Sequence, residues 1–302
     1  MNFPGPEIPL RRKPGTMMVE RNAPQSALAR VNRRGNWFRP RFVLGFSLIL
    51  MLWPGTRAAE LAGTATNLPA SADLRPVFEK WGLPIRSQGS RGTCSVFTMT
   101  GAIEFALASR HQAGTALSVE FLNWAANEAR ATKRDGGFFS ELWAGFERHG
   151  ICAETNLPYQ PIFDVHFRPD ERVLALAQEA AKAQLRLEWI KPWNVKTGLT
   201  DEQFQAIKRT LIRGWPVCAG LRWPKHAEWK QNVLQMAPAA EVFDGHSVLL
   251  VGFKDDPAQP GGGVLLIRNS GAGPADGAMP YDYARACLND AAWIQPAAEK
   301  EP

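Results

Sequence analysis

Between residue 68 and about residue 186, apolar side chains recur at helical spacing. Val96, Met99, Ile103 and Ala106 fall on one face of a helix predicted from Cys94 to about Arg110, with Thr93 as its cap. Arg110, His111 and Gly114 supply a basic last turn and a stop. Ser118 caps a second helix carrying Phe121, Leu122, Trp124 and Ala125. A third carries Leu142, Trp143 and Phe146 and stops at His149-Gly150; Asp170 opens a fourth, from Glu171 to about Leu185.

The pattern then changes. Thr200-Asp-Glu-Gln203 is a capping box for one more helix, ending at Gly214. Around it lie strand-like runs: Arg186 to Ile190, Pro216 to Leu221, Ser247 to Phe253 and Val264 to Asn269. Residues 254–263, with three consecutive glycines, read as a loop. A mostly helical half followed by a β-rich half is an α+β architecture. No internal repeat is visible.

An apolar fraction of 45% over 302 residues supports a large core and excludes disorder of the whole chain. The formal charge of +6 is unevenly placed. Residues 1–60 hold ten Lys/Arg and three Asp/Glu, leaving 25 basic and 26 acidic residues elsewhere. The main part is near neutral and offers no phosphate-binding surface, so no nucleic-acid partner is expected. The basicity belongs to a leader, residues 1–58. Arg33, Arg34, Arg39 and Arg41 precede the apolar run Phe42 to Trp53. Twelve residues rise only about 18 Å as a helix, which suits a signal peptide better than a membrane span. Thr56-Arg57-Ala58 fits a cleavage site, predicting a mature amino terminus near Ala59, a periplasmic or extracellular location, and membrane contact only through an uncut leader. Residues 59–67 read as a linker and 298–302 as a tail.

The four cysteines, Cys94, Cys152, Cys218 and Cys287, include no Cys-x-x-Cys pair, so neither a metal site nor another cofactor is expected. One intramolecular bridge at most is compatible with a single free nucleophile. The segment Gln88-Gly-Ser-Arg-Gly-Thr-Cys94 delivers a cysteine to the first turn of a helix. Unpaired N–H groups and the positive end of the macrodipole favour a thiolate there. A histidine, His246, stands at the entrance to the apolar run from Ser247, and an amide, Asn269, ends the run from Val264. Each alone has an ordinary structural explanation: a small buried cysteine, a surface histidine, a turn-forming asparagine.

Together their order and spacing resemble the papain and cathepsin family of cysteine peptidases. His246 follows Cys94 by 152 residues, Asn269 follows His246 by 23, and Gln88 precedes Cys94 by six. Leu68 to Arg75, Ser118 to Leu122, Asp135-Gly136-Gly137, Gly150 to Tyr159 and Met279 to Tyr283 add colinear similarities. The resemblance implies a two-lobed papain-like domain over residues 68–297, with a helical lobe (68–185) carrying the nucleophile and a barrel-like lobe (186–297) carrying His and Asn. It implies Cys94 as nucleophile, His246 as its base, Asn269 as orienting group and Gln88 in the oxyanion hole. Gly136, Gly137 and Gly245 would bind an extended peptide or protein substrate, and the enzyme would be a monomer. An alternative is a weak or inactive peptide-binding protein on the same scaffold.

Three positions depart from the family pattern. Arg91 replaces the first cysteine of the signature, Ser95 replaces the aromatic residue after the nucleophile, and Gly271 replaces the tryptophan that covers the Asn–His hydrogen bond. With Gly271 there, the His246–Asn269 bond is expected to be open to water unless another residue covers it.

Overall fold

The computed structural model describes residues 68–181 and 184–297, which lie in one compact unit. The leader, its h-region and the cleavage site near Ala58 fall outside the described residues. A short strand β1 (Ser71–Asp73) and helix α1 (Arg75–Lys80) open the unit. Four helices follow: α2 (Cys94–Ala108), α3 (Val119–Arg130), α4 (Phe139–His149) and α5 (Glu171–Ala181). Then come β2 (Leu185–Lys191), α6 (Asp201–Ile212), β3 (Val217–Pro224), β4 (Trp229–Lys230) and β5 (Val233–Leu234). The chain ends through β6 (Val242–Asp255), β7 (Gly263–Arg268), β8 (Asp276–Pro280), α7 (Tyr281–Cys287) and β9 (Leu288–Pro296). The α+β class read from the sequence is the class observed.

The strands form one sheet ordered β2-β9-β3-β6-β7-β8-β5-β4, with β1 also paired to β6. All pairings are antiparallel except β5 with β8. Helix α2 lies against β6, and its residues Val96, Met99, Ile103 and Ala106 are wholly buried. Phe97, Ala102 and Phe105 on its other faces are buried as well. A helix apolar almost all round belongs in the middle of a core rather than on its surface. Cys94, its first residue, is only partly buried.

Local signals set most helix ends. The Ser118 hydroxyl accepts from the Phe121 N–H at 2.9 Å, and the Asp170 carboxylate accepts from the Val173 N–H at 2.8 Å. Thr200 and Gln203 make the reciprocal pair of a capping box. Thr93 is different. It precedes α2 but its hydroxyl pairs with the Tyr159 hydroxyl at 2.6 Å and caps no helix N–H. The strand runs were read too short. β3 continues to Pro224 and β6 begins at Val242, so His246 is the fifth of fourteen strand residues rather than a residue at the strand's entrance. Pairing with β3 holds Asp244-Gly245 extended, although this dipeptide resembles a turn in isolation.

Candidate active site

Cys94 opens α2, the first N-terminal turn of a buried helix. Adjacent β6 presents His246 and Ser247 from the sheet, paired with Leu221 and Gly220 of β3. Asn269 follows the last residue of β7, held by its N–H to the Ala275 carbonyl at 2.7 Å. Cys94, Gly137, Gly245 and His246 line one cavity of about 200 Å³, along with Ser95, Phe138, Phe139, Trp193, Leu221, Asn289 and Asp290. Gln88, Gly245 and His246 line a second cavity of about 370 Å³ together with Trp223, Trp229 and Gly271. Gly245 and His246 thus line both cavities.

The imidazole is oriented by hydrogen-bond geometry. His246 Nε2 and Asn269 Oδ1 are 2.8 Å apart. Asn269 Oδ1 also accepts the Gly271 N–H at 3.0 Å, and Asn269 Nδ2 donates to the carbonyls of Ala272 and Pro274 at 3.3 and 3.4 Å. These partners fix which end of the amide is oxygen. His246 Nε2 must then carry a proton, and Nδ1 is the nitrogen left for chemistry. Gln88 is anchored equally firmly. Its N–H donates to the Ser270 carbonyl, its Oε1 accepts the Ser270 hydroxyl, and its Nε2 donates to the Arg91 carbonyl, each at 2.9 Å. One Nε2 hydrogen keeps no partner among the described residues.

Burial pushes the Cys94 thiol above its ordinary range. Amides of Ser247, Ser95 and Cys94 itself, with the Ser247 hydroxyl, pull it back without reversing the shift. The helix terminus supplies the expected anion-favouring N–H groups, and burial of the thiol acts against them. Burial also lowers the His246 pKa, opposed by the Asn269 hydrogen bond. Each group taken alone favours its neutral form. An ion pair between them depends on their mutual attraction.

The three departures from the family pattern have structural consequences. Arg91, only 6% exposed, donates to Glu120 at 2.5 Å, to Asp135 at 2.7 Å and to the Gln160 carbonyl at 2.7 Å, and stacks on the Tyr159 ring. It joins the loop before Cys94 to α3 and to the loop carrying Gly136 and Gly137. Ser95 Oγ accepts the Gly137 N–H at 3.2 Å. Gly136 has φ +71°, and a Cβ there would lie 2.5 Å from the Gly92 carbonyl, so no other residue brings this loop so close. Gly271 leaves no room for a side chain: a Cβ would lie 2.9 Å from His246 Cε1 and 3.3 Å from Gln88 Oε1.

The expectation of a water-exposed His246–Asn269 bond is corrected. Asn269 is 2% exposed, and the Trp223 ring packs against the imidazole with centroids 4.7 Å apart. Nothing near Trp223 in the chain ties it to His246. Asn289 and Asp290 were also missed; they sit on β9, a strand whose Leu288-Asn-Asp-Ala-Ala run lacks β-branched residues. The cysteines Cys94, Cys152, Cys218 and Cys287 are all free thiols, the last three buried.

Comparisons with known proteins point to one family and one fold. The sequence profile of papain family cysteine proteases matches residues 68–273. An uncharacterized peptidase C1-like protein of Acanthamoeba polyphaga mimivirus is 23% identical over 191 residues, 61% of this chain; the chain spans 58% of that relative's length. Among solved structures, xylellain, a cysteine protease from Xylella fastidiosa, aligns with a TM-score of 0.59 at 20% identity, covering 76% of this chain and 87% of that one. The proform of the ragweed pollen cysteine protease Amb a 11 gives 0.57 at 19% identity, covering 78% and 68%. Digestive procathepsin L 3 of Tenebrio molitor gives 0.52 at 18% identity, covering 77% and 71%. At such identities the structural likeness speaks for the fold, and the profile match extends over more than half of the sequence: the chain belongs to the papain family of cysteine proteases.

Proposed function

We propose that this protein hydrolyses peptide bonds with Cys94 as nucleophile. The observation that carries the reading is the His246 Nε2–Asn269 Oδ1 bond, which leaves Nδ1 as the reactive nitrogen of an imidazole sharing a cavity with Cys94. The Cys94 proton passes to His246 Nδ1 and the thiolate attacks the scissile carbonyl, forming an S–C bond and an oxyanion. The free Gln88 Nε2–H and the Cys94 N–H stabilise that oxyanion; one such donor is worth about 2.7–4 kcal/mol of barrier. The C–N bond breaks as imidazolium Nδ1 gives its proton to the leaving amine. Water, deprotonated by His246, then attacks the thioester, the C–S bond breaks, and the carboxylic product leaves with the thiol restored. Gly136 and Gly137 let an extended substrate approach one wall, and Gly245 adds no side chain to the same cavity. No cofactor takes part in any step.

Cys94→Ala should abolish both peptide hydrolysis and labelling by an epoxide warhead while leaving the unfolding midpoint unchanged. Equal labelling of Cys94→Ala and the parent would overturn the assignment. A parent that binds peptides but neither hydrolyses them nor labels would instead be the peptide-binding protein of the alternative reading.

The leader supports an exported location. Among the described residues no helix is long and apolar enough to cross a membrane. Protein recovered from the cell envelope should begin near Ala59 by amino-terminal sequencing; an intact leader in the membrane fraction would argue for an anchor.

A further inference from the structure

We infer that Trp223 is a positioning residue for His246, taking from a different strand the role that position 271 has given up. The inference rests on the peptidase reading above. Its starting point is sheet register. Leu221 of β3 pairs with His246 of β6, and Trp223 pairs with Asp244. Side chains two apart on a strand share a face, so Trp223 and His246 are diagonal neighbours on the same face. Their ring centroids lie 4.7 Å apart at an interplanar angle of 56°. Such a diagonal is within the reach of aromatic side chains, and the approach is close enough for an imidazolium to feel the indole's π density.

The indole is itself held in place. Trp229 lies 6.2 Å from it, and Tyr283 meets it edge-on at 6.2 Å. The Tyr283 hydroxyl donates to the Arg222 carbonyl at 2.8 Å, pinning the backbone next to Trp223. Trp229 is seated over Gly273, where a Cβ would come within 2.7 Å of its Nε1. Trp223 is consequently 8% exposed although it lines the cleft.

The imidazole is bounded on another side by the backbone at Gly271. A tryptophan at 271 would have to pass through the space that His246 Cε1 and Gln88 Oε1 occupy. The two features are complementary: the loop after Asn269 closes onto the imidazole edge as bare backbone, and cover for the ring comes from β3. A hydrogen bond removed from water acts in a lower local dielectric and holds its partners more tightly. Trp223 therefore acts through His246, keeping Nε2 on Asn269 and Nδ1 available.

The test uses the full chain in three forms: parent, Trp223→Ala and Trp223→Phe. The first readout is the His246 Nε2 proton by NMR, which needs no substrate. It should appear as a downfield, slowly exchanging resonance in the parent and in Trp223→Phe, and be lost to solvent exchange in Trp223→Ala. The second is kinetic, with a fluorogenic peptide substrate. Trp223→Ala should lower kcat by about tenfold or more with KM within about twofold, and Trp223→Phe should restore most of the loss. The third is coupling: Asn269→Ala should cost about a hundredfold in kcat in the parent but only a few-fold in the Trp223→Ala background. An unchanged proton resonance, or equal cost of Asn269→Ala in both backgrounds, would overturn the inference. If Trp223→Ala does not fold, Trp223→Leu against Trp223→Phe takes its place, and loss of the resonance in both would also overturn it. A parent without hydrolysis would refute the peptidase reading, and the NMR arm would still decide whether Trp223 shields the bond.

Discussion

At the residue scale, opposing effects meet on Cys94 and His246. Burial disfavours the thiolate and the imidazolium alike, and only local amides and the Asn269 bond act the other way. The consequence for pH follows from the two directions. With both neutral forms favoured, the first proton lost as pH rises comes from His246 and the second from Cys94, so the two shifts move the limbs of kcat/KM apart and leave the charged pair a minor tautomer of the singly protonated site. The profile expected is a broad bell of low height, measured with one peptide substrate from about pH 4 to about pH 10, whose acidic limb coincides with deprotonation of His246 followed by NMR. An acidic limb lying below that deprotonation would mean that the attraction between the two groups exceeds the cost of burying them. A rate rising monotonically to the alkaline end would mean a simple thiol with no partner.

At the scale of elements, five helices were legible and the sheet only in part, for physical reasons; α1 and α7 gave no such signal, and the helix expected to reach about Leu185 stops at Ala181, with Leu185 opening β2. Ser118, Asp170 and the Thr200–Gln203 box act on their own helix ends, so sequence spacing finds them. Strand extent depends on partners far along the chain: β6 runs back to Val242 because β3 pairs with it, and β9 is a strand because β2 and β3 flank it. Cys94, His246 and Asn269 were legible because their types and order are distinctive, whereas Trp223 and Arg91 owe their roles to contacts across the fold. Arg91 makes the sharper test at this scale. Its guanidinium joins the nucleophile loop to Glu120 of α3 and to Asp135 before the Gly136-Gly137 wall. Truncating one member of a buried ionic network leaves the other charges unpaired, at a cost of about 3–5 kcal/mol. Arg91→Ala should lower stability on that order in urea unfolding, and Arg91→Lys should rescue little, because an ammonium cannot reproduce the planar fork. A loss below about 1 kcal/mol would show that the network does not brace the loop.

At the scale of the whole molecule, the floor beneath the site holds buried ionisable groups that couple stability to pH. A small cavity of about 40 Å³ lies under Asn269 and Ser270, bordered by Arg86, Thr98, Glu104 and Arg268. Glu104, 3% exposed, accepts from the Leu117 N–H at 2.7 Å and from Arg86 at 2.5 Å. Burial nevertheless pushes its carboxyl up to about 7, with the attraction of Arg86 opposing. In the pH range between its unfolded value of 4.5 and that folded value, the native chain binds a proton that the unfolded chain has released. The stability this proton contributes is full below the lower limit and is lost as pH rises through the upper one. The shift corresponds to about 3 kcal/mol at most. Asp290 on the cleft floor, raised by burial to about 6 with Lys191 opposing, acts in the same direction. Urea unfolding at a series of pH values should therefore show stability falling from about pH 4 to about pH 7. Glu104→Gln should flatten much of that slope, because a neutral amide has no proton to lose, and adding Asp290→Asn should remove most of the rest. Stability that instead rises across this window in the parent would mean that Arg86 keeps Glu104 ionised. The carboxylate beneath Asn269 would then be a permanent charge, bracing the site from below through its ion pair.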